Sequence, residues 1–234
     1  MPIALSGTPS TTNNTAAGTT LTVNVPAGIA NGDLLIWHMI ANNATVASTP
    51  AGWNVVKTGT TTTHNQSIFW RVAASEPASY THAALTSAKW TFSMYAFSGV
   101  DNTTPLDIAS ASIPAMTAGT TAVTLPAITP VTAGAWIIGT GSAIGATTAT
   151  FAFSSSNSDG TVVLNQPATS GVNPSHGTFW EAWVSGAFTP LVTFTGTSTR
   201  TLGSTYALRP SAGVSPPPPP AAAGRVQTLR YGWR

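Results

Sequence analysis

Apolar and polar residues alternate along this chain with a period of two, the spacing that sends successive side chains to opposite faces of a strand. Leu21-Thr-Val-Asn-Val25 is the first clear case. Asp33 opens a different pattern, the continuous apolar run Leu34 to Ala41, which predicts a strand covered on both faces. Val55-Val56 and Gln66 to Ala73 predict two more strands, and Ala88 to Ser98 alternates strictly. In that last stretch Trp90, Phe92, Met94 and Ala96 fall on one face, and Thr91, Ser93, Tyr95 and Phe97 on the other. Pro- and Gly-bearing turn segments at 26–32, 49–53 and 75–79 and the Gly99–Asn102 stretch separate these runs. Residues 6–20, rich in Ser, Thr, Asn and Gly, read as a loop or a flat edge strand. No segment longer than a turn carries a 3.6-residue repeat, so the chain is predicted to be all-β.

The second half repeats the plan of the first. Thr121-Ala-Val-Thr-Leu125 parallels residues 21–25, and Thr132 to Thr140 parallels the stretch from Asn31 to Trp37. His176 to Val184 aligns with Gln66 to Ala73 around a shared Phe-Trp, and Leu202 to Leu208 aligns with the Tyr95-Ala-Phe97 strand. Two halves with strands in the same order predict a two-sheet β-sandwich of jelly-roll type, built from two pseudo-repeats.

Composition changes the picture at the end of the chain. Only 6% of residues are charged, yet 42% are hydrophobic and eight are Trp, so the chain has a core and a surface solvated mainly by hydroxyls and amides. Through Leu208 four basic residues (Lys57, Arg71, Lys89 and Arg200) face six acidic ones, a net charge of −2. From Arg209 onward Arg209, Arg225, Arg230 and Arg234 meet no acid, a net of +4. The predicted organisation is a sandwich domain over 1–210, a Pro/Ala-rich linker over 211–224 and a basic-aromatic docking peptide over 225–234. Pro216 to Pro220 hold the linker near polyproline II, a stiff spacer rising about 3.1 Å per residue. In the peptide, Arg225, Leu229, Arg230, Tyr231, Trp233 and Arg234 are the candidate partner-binding residues, because Arg, Tyr and Trp dominate interface hot spots. Their partner is expected to be acidic or lined with aromatics, the acidic face of a neighbouring copy being one candidate. The alternation of Val226 and Thr228 with Leu229 and Tyr231 is imperfect, so an added edge strand stays open as one mode of docking.

Candidate chemistry is sparse. Glu76 sits in a Ser-Glu-Pro turn, and Glu181 stands between Trp180 and Trp183; neither makes the carboxylate pair a hydrolase needs, and the chain is read as no enzyme, with no catalytic residue. His38, His64, His82 and His176 lack the spacing of a metal site, and His38, inside the apolar run, reads as a hydrogen-bonded sheet residue. Asp33, Asp101 and Asn102 are loop oxygens of the kind that bind calcium in some sandwiches, without the acidic cluster that would build a site. The chain is expected to hold no cofactor and no metal. Trp37, Trp53, Trp70, Trp90 and Trp136 read as core. Trp180 and Trp183 are an odd number apart and so lie on opposite faces, and one of them turned outward is the candidate for stacking on a glycan. Three cations on one end give weak, salt-sensitive affinity for nucleic acid, which is not expected as a partner. No apolar run approaches a membrane span, the start lacks the pattern of a signal peptide, and Cys is absent.

The order Val-Pro-Ala-Gly-Ile-Ala-Asn-Gly-Asp-Leu-Leu-Ile (25–36), Thr-Pro-Ala-Gly-Trp (49–53), Phe-Trp-Arg-Val-Ala (69–73), Ala-Ser-Glu-Pro-Ala-Ser-Tyr (74–80), Tyr-Ala-Phe-Ser-Gly-Val-Asp (95–101) and Ala-Leu-Arg-Pro (207–210) resembles a β-sandwich module. That module recurs in virion proteins of tailed bacteriophages and in bacterial surface proteins. The resemblance covers roughly residues 1–210, carries no catalytic motif, and leaves the tail outside it. It implies a structural virion protein, made in the host cytoplasm and located in the virion, as a capsid decoration (cement) protein or an accessory tail protein. Its expected partners are other virion proteins, the major capsid or tail protein, and copies of itself. The rival expectation is a carbohydrate-binding or receptor-adhesion module that meets a host-surface glycan.

Overall fold

The computed structural model describes residues 2–212 except 14–15, 44, 84–85, 109–115, 120–121, 146–149, 155–160, 167–173, 189–190 and 196–199. The linker from 213 on and the docking peptide 225–234 lie outside the described residues. Every described element is a strand or a turn, and every strand pairing is antiparallel.

Two five-stranded sheets form the centre of the sandwich. The first contains β1 (Ala4–Asn13), β7 (Trp90–Ser98), β3 (Leu34–Ala41), β5 (Asn65–Val72) and β4 (Asn54–Thr60), in that spatial order. The second contains β8 (Thr117–Gly119), β15 (Arg200–Leu208), β10 (Trp136–Ile144), β13 (Pro174–Ala182) and β12 (Thr161–Gln166). Strand for strand the two orders are the same. A small sheet accompanies each: β2 (Leu21–Asn24) with β6 (Ser79–His82) in the first repeat, and β9 (Ala122–Thr124), β14 (Leu191–Thr195) and β11 (Thr150–Ser154) in the second.

The repeat extends to register. Ile36 lies opposite Trp70 on one side and Tyr95 on the other, while Ile138 lies opposite Trp180 and Tyr206. Even the irregularities coincide: β4 slips by one residue between Val55 and Lys57, and β12 between Val162 and Leu164, each against the strand carrying the Phe-Trp pair. Such a bulge adds one residue and increases the local twist of an edge strand.

Three core layers separate the four sheets. Leu35, Trp37, Met39, Phe92 and Met94 pack against Leu21, Val23 and Tyr80 of the first small sheet. Ile36, Ile68, Tyr95 and Phe97 meet Ile138, Trp180, Tyr206 and Leu208 of the other repeat. Ile137, Phe179 and Ala207 meet Val123 and Phe151 of the second small sheet. Both faces of the inner strands of each central sheet are therefore covered, which is why all eight residues of β3 are buried. The alternation read in β7 has the same origin: Trp90, Phe92, Met94 and Ala96 enter the first layer, Tyr95 and Phe97 the middle one.

The outer layers are filled differently in the two repeats. Trp37 and Phe92 bring their own bulk to the first. Their register equivalents, Gly139 and Gly203, bring none, and the ring of Phe179 and the Leu125 side chain occupy that space. The space is filled from β13 of the same sheet and from Leu125 just after β9 instead of from β10 and β15.

Candidate functional site

Among the described residues, three places hold side chains able to do more than pack: the seam between the repeats, the point where the chain leaves the domain, and an arginine-centred cluster beside a surface groove.

At one end the seam is apolar. At the other it is lined by side chains that prefer water, all fully buried: His38, His64, Gln66, Ser93, Thr91, Thr140, Ser142 and His176. Buried polar groups persist only when hydrogen-bonded, and here most partners come from the opposite repeat. His64 Nε2 and Ser142 Oγ are 2.9 Å apart, Ser142 Oγ lies 3.2 Å from Gln66 Oε1, and Gln66 Nε2 donates to Thr140 Oγ1 at 3.2 Å. Thr140 Oγ1 is also 3.4 Å from His38 Nδ1, His38 Nε2 is 3.0 Å from the Tyr95 hydroxyl, and that hydroxyl is 2.9 Å from the hydroxyl of Tyr206. A consistent set of protons runs along this chain if His38 is neutral with its hydrogen on Nδ1. Two more links cross the seam, His176 Nε2 to Ser93 Oγ at 2.8 Å and Thr91 Oγ1 to the Pro174 carbonyl at 2.7 Å.

Burial sets the charge state of these imidazoles. It lowers His176 to about 3, and it lowers His64 to about 3 with a smaller contribution from the nearby Arg200 cation. His38 falls well below the ordinary imidazole value through burial first and the neighbouring His176 second. All three are neutral at physiological pH, the form that burial favours.

The exit is clamped. Pro210 bridges to Val100, Asp101 N–H donates to the Arg209 carbonyl at 2.9 Å, and Ser211 N–H donates to the Gly99 carbonyl at 2.8 Å. Arg209 Nε lies 3.4 Å from the buried Asp107 carboxylate, which also accepts from Val131 N–H at 2.5 Å and Thr132 N–H at 3.2 Å. Arg209 therefore belongs to the folded body, neutralised by Asp107, and does not add to the cationic tail as the sequence count had it. The basic residues beyond the clamp are Arg225, Arg230 and Arg234.

The carboxylates are mostly inside. Asp33, Asp107 and Glu181 are buried, and Asp33 accepts from Ser6 Oγ and Ala30 N–H. Asp101 caps the loop after β7 through Thr103 N–H and Thr104 N–H, which lowers its pKa. Among the described residues, Asp33, Asp107 and Glu76 are therefore engaged within their own chain, and Asp101 caps its own exposed loop. The Asp33, Asp101 and Asn102 oxygens considered for calcium are spent in the same way or left singly, and no group of three or more candidate metal ligands occurs among the described residues.

Glu76 does cap its turn, accepting from Ala74 N–H at 2.8 Å, but its carboxylate is only 4% exposed. It pairs with Arg71 at 3.2 Å and accepts from the Tyr80 hydroxyl. The Arg71 guanidinium lies over the rings of Trp53 and Tyr80, at 5.8 and 5.4 Å from their centroids. Burial and the Glu76 carboxylate raise Tyr80 to about 12. Beside this cluster an open groove of about 350 Å³ runs between Val25, Pro26, Ile29, Asn31, Glu76 and Pro77.

Trp180 and Trp183 do lie on opposite faces, but the tryptophan suited to a glycan is at most one of them. Trp180 is 7% exposed and sits in the middle layer edge-on to Phe97 at 5.2 Å, so no ring face is open to a sugar. Trp183 is half-buried against the outer layer and donates its indole N–H to the Gly186 carbonyl at 3.0 Å. Arg225, Leu229, Arg230, Tyr231, Trp233 and Arg234 lie outside the described residues. The polar seam was not foreseen beyond His38; its only sequence signal is the scatter of His, Ser, Thr and Gln at one end of strands whose other end is apolar.

No protein-family model matches the chain, and no curated protein matches it.

Proposed function

We propose that the chain is a structural virion protein of a tailed phage, a capsid decoration or accessory tail protein whose folded body is held to the particle by its C-terminal tail. The observation that carries the reading is the clamped exit. Backbone hydrogen bonds from Asp101 and Ser211, together with the Arg209–Asp107 pair, fix the last strand to the body, so a tail of three arginines and no acid departs from one defined point. The body supports the same reading: two repeats joined through three core layers make a rigid block, and a surface short of charge suits packing among identical neighbours. The resemblance of the turn and core motifs to phage virion modules points the same way. In this role the tail's Arg, Tyr and Trp side chains supply the contacts and the proline run sets the stand-off.

A photo-cross-linking amino acid at position 231 in assembled particles tests this. The expected adduct is with the major capsid protein, a tail protein or a sister copy. Adducts confined to host-surface glycan would favour the adhesion reading, and the absence of any protein adduct would remove the anchor role.

A further inference from the structure

The two repeats differ in one respect in their outer sheets. In the second, β14 lies between β9 and β11, so a strand covers each of its edges. In the first, β6 holds the place of β14 and pairs with β2 alone. The connection that supplies β11 runs from β10 to β12; its counterpart from β3 to β4, residues 42–53, passes β6 without forming a strand. It meets that edge through side chains, with Ser48 Oγ 3.2 Å from His82 Nε2 and Trp53 edge-on to Tyr80 at 5.4 Å.

The chain carries a segment with the pattern of the missing strand. In β11, Phe151 is buried in the outer core, Ala152 is exposed, and Phe153 packs partly against the same core. Leu229-Arg-Tyr-Gly-Trp233 has the same period: Leu229, Tyr231 and Trp233 fall on one face, Arg230 and Gly232 on the other. A cation on the outward face is the usual protection of an edge strand. This alternation is cleaner than the one that begins at Val226.

We propose that the outer edge of β6, covered by residues 42–53 but paired with no strand, is the docking site for the chain's own segment Leu229–Trp233, which adds there as the strand the first repeat lacks. Reach is sufficient. Residues 212–228 span about 50 Å when extended near 3.1 Å per residue, against a radius of gyration of about 17 Å for a domain of this size. The exit also lies at the right end: Ser211 is bonded to Gly99, the Asn102 side chain approaches Gly32, and Gly32 N–H donates to the Ala73 carbonyl, a few residues before β6 begins. Tethering gives the segment an effective concentration near the millimolar range at its own edge, above that of a second copy in dilute solution. Addition displaces residues 45–49 from the edge, which breaks the Ser48–His82 contact and the hydrogen bond from Asn65 Nδ2 to the Thr45 carbonyl and lifts Ala47 out of the outer core, its place being taken by the inward side chains of the added strand. The inference rests on the tail's role as a docking peptide and gives it a resting place outside the particle.

Hydrogen exchange on the full chain, on the chain ended at Ser211 and on a Leu229→Ser/Trp233→Ser variant tests the proposal. The amides of Ser79 and Thr81, which the register turns away from β2, are expected to exchange at least tenfold more slowly in the full chain than in the other two, independently of protein concentration and with a monomeric mass. Equal rates in all three overturn it. Protection that grows with concentration alongside a dimeric mass overturns the own-chain assignment in favour of a sister copy. The measurement needs no particle, so its outcome is independent of the cross-linking test of the anchor role.

Discussion

The hydroxyls of Tyr95 and Tyr206 meet 2.9 Å apart in the middle of the protein, from register-equivalent positions of the two repeats. Their environments are not equivalent. Tyr95 also reaches His38 Nε2 at 3.0 Å, whereas the Tyr206 hydroxyl meets the Tyr95 hydroxyl and no imidazole. Tyr95→Phe therefore strands two buried polar groups, and Tyr206→Phe strands none of the imidazoles. The expected destabilisation is about 2–4 kcal/mol for Tyr95→Phe and about 1 kcal/mol for Tyr206→Phe, with the double variant costing less than the sum. Urea unfolding of the three variants measures this. Equal costs for the two single variants would contradict the directional chain of hydrogen bonds.

The same seam makes stability depend on pH. His64 and His176 are held at about 3 in the folded protein, and His38 is lowered as well, while in the unfolded chain each returns to about 6.5. A depressed folded pKa means that the unfolded state binds more protons as pH falls below 6.5. Stability contributed by the neutral forms is then complete above that value and is lost progressively toward pH 3. The slope approaches about 1.4 kcal/mol per pH unit for each histidine. Unfolding midpoints in urea are expected to stay level from pH 8 to 7 and to fall steeply from 6 to 4. A level profile down to pH 4 would show that the imidazoles are not confined as described.

Glycine substitutions should separate the two outer layers. A Cβ on Gly139 would stand 1.9 Å from Phe179 Cε1, and one on Gly203 would stand 2.3 Å from Leu125 Cδ2. Neither residue needs a left-handed backbone, so the penalty is overpacking alone. Gly139→Ala and Gly203→Ala are each expected to cost about 1–3 kcal/mol, read from thermal or urea unfolding. At Gly186, where a Cβ meets nothing within 4 Å but φ is +74°, the cost of alanine is backbone strain.

Where one strand dictates its own environment, the sequence was readable. The continuous run Leu34 to Ala41 and the strict alternation of β7 specify their layers because both faces of the central sheets are apolar along much of their length. The repeat was legible at the Phe-Trp and Tyr-Ala pairs, which occupy matching register. Strands β11, β12 and β14 escaped notice inside Thr-rich stretches whose alternation is blurred, since Thr serves either face. The seam escaped for another reason. His64 and Ser142 are 78 residues apart, Tyr95 and Tyr206 111, and no local pattern announces which polar residues will be buried together. Arg209 falls within the 1–210 domain read from the sequence, yet the charge count grouped it with the tail, because such a count cannot see Asp107, 102 residues away, folded beneath it.

Particle incorporation of a chain ended at Ser211, set against the full chain, tests the central claim most directly. The truncated protein retains the Ser211–Gly99 bond and the Arg209–Asp107 pair, so it is expected to fold and to unfold cooperatively, at a urea midpoint below that of the full chain only by what tail docking on β6 contributes. With the tail as the anchor, purified particles are expected to contain the full chain and to lack the truncated one. A folded, truncated protein present in particles at the copy number of the full chain would contradict the account.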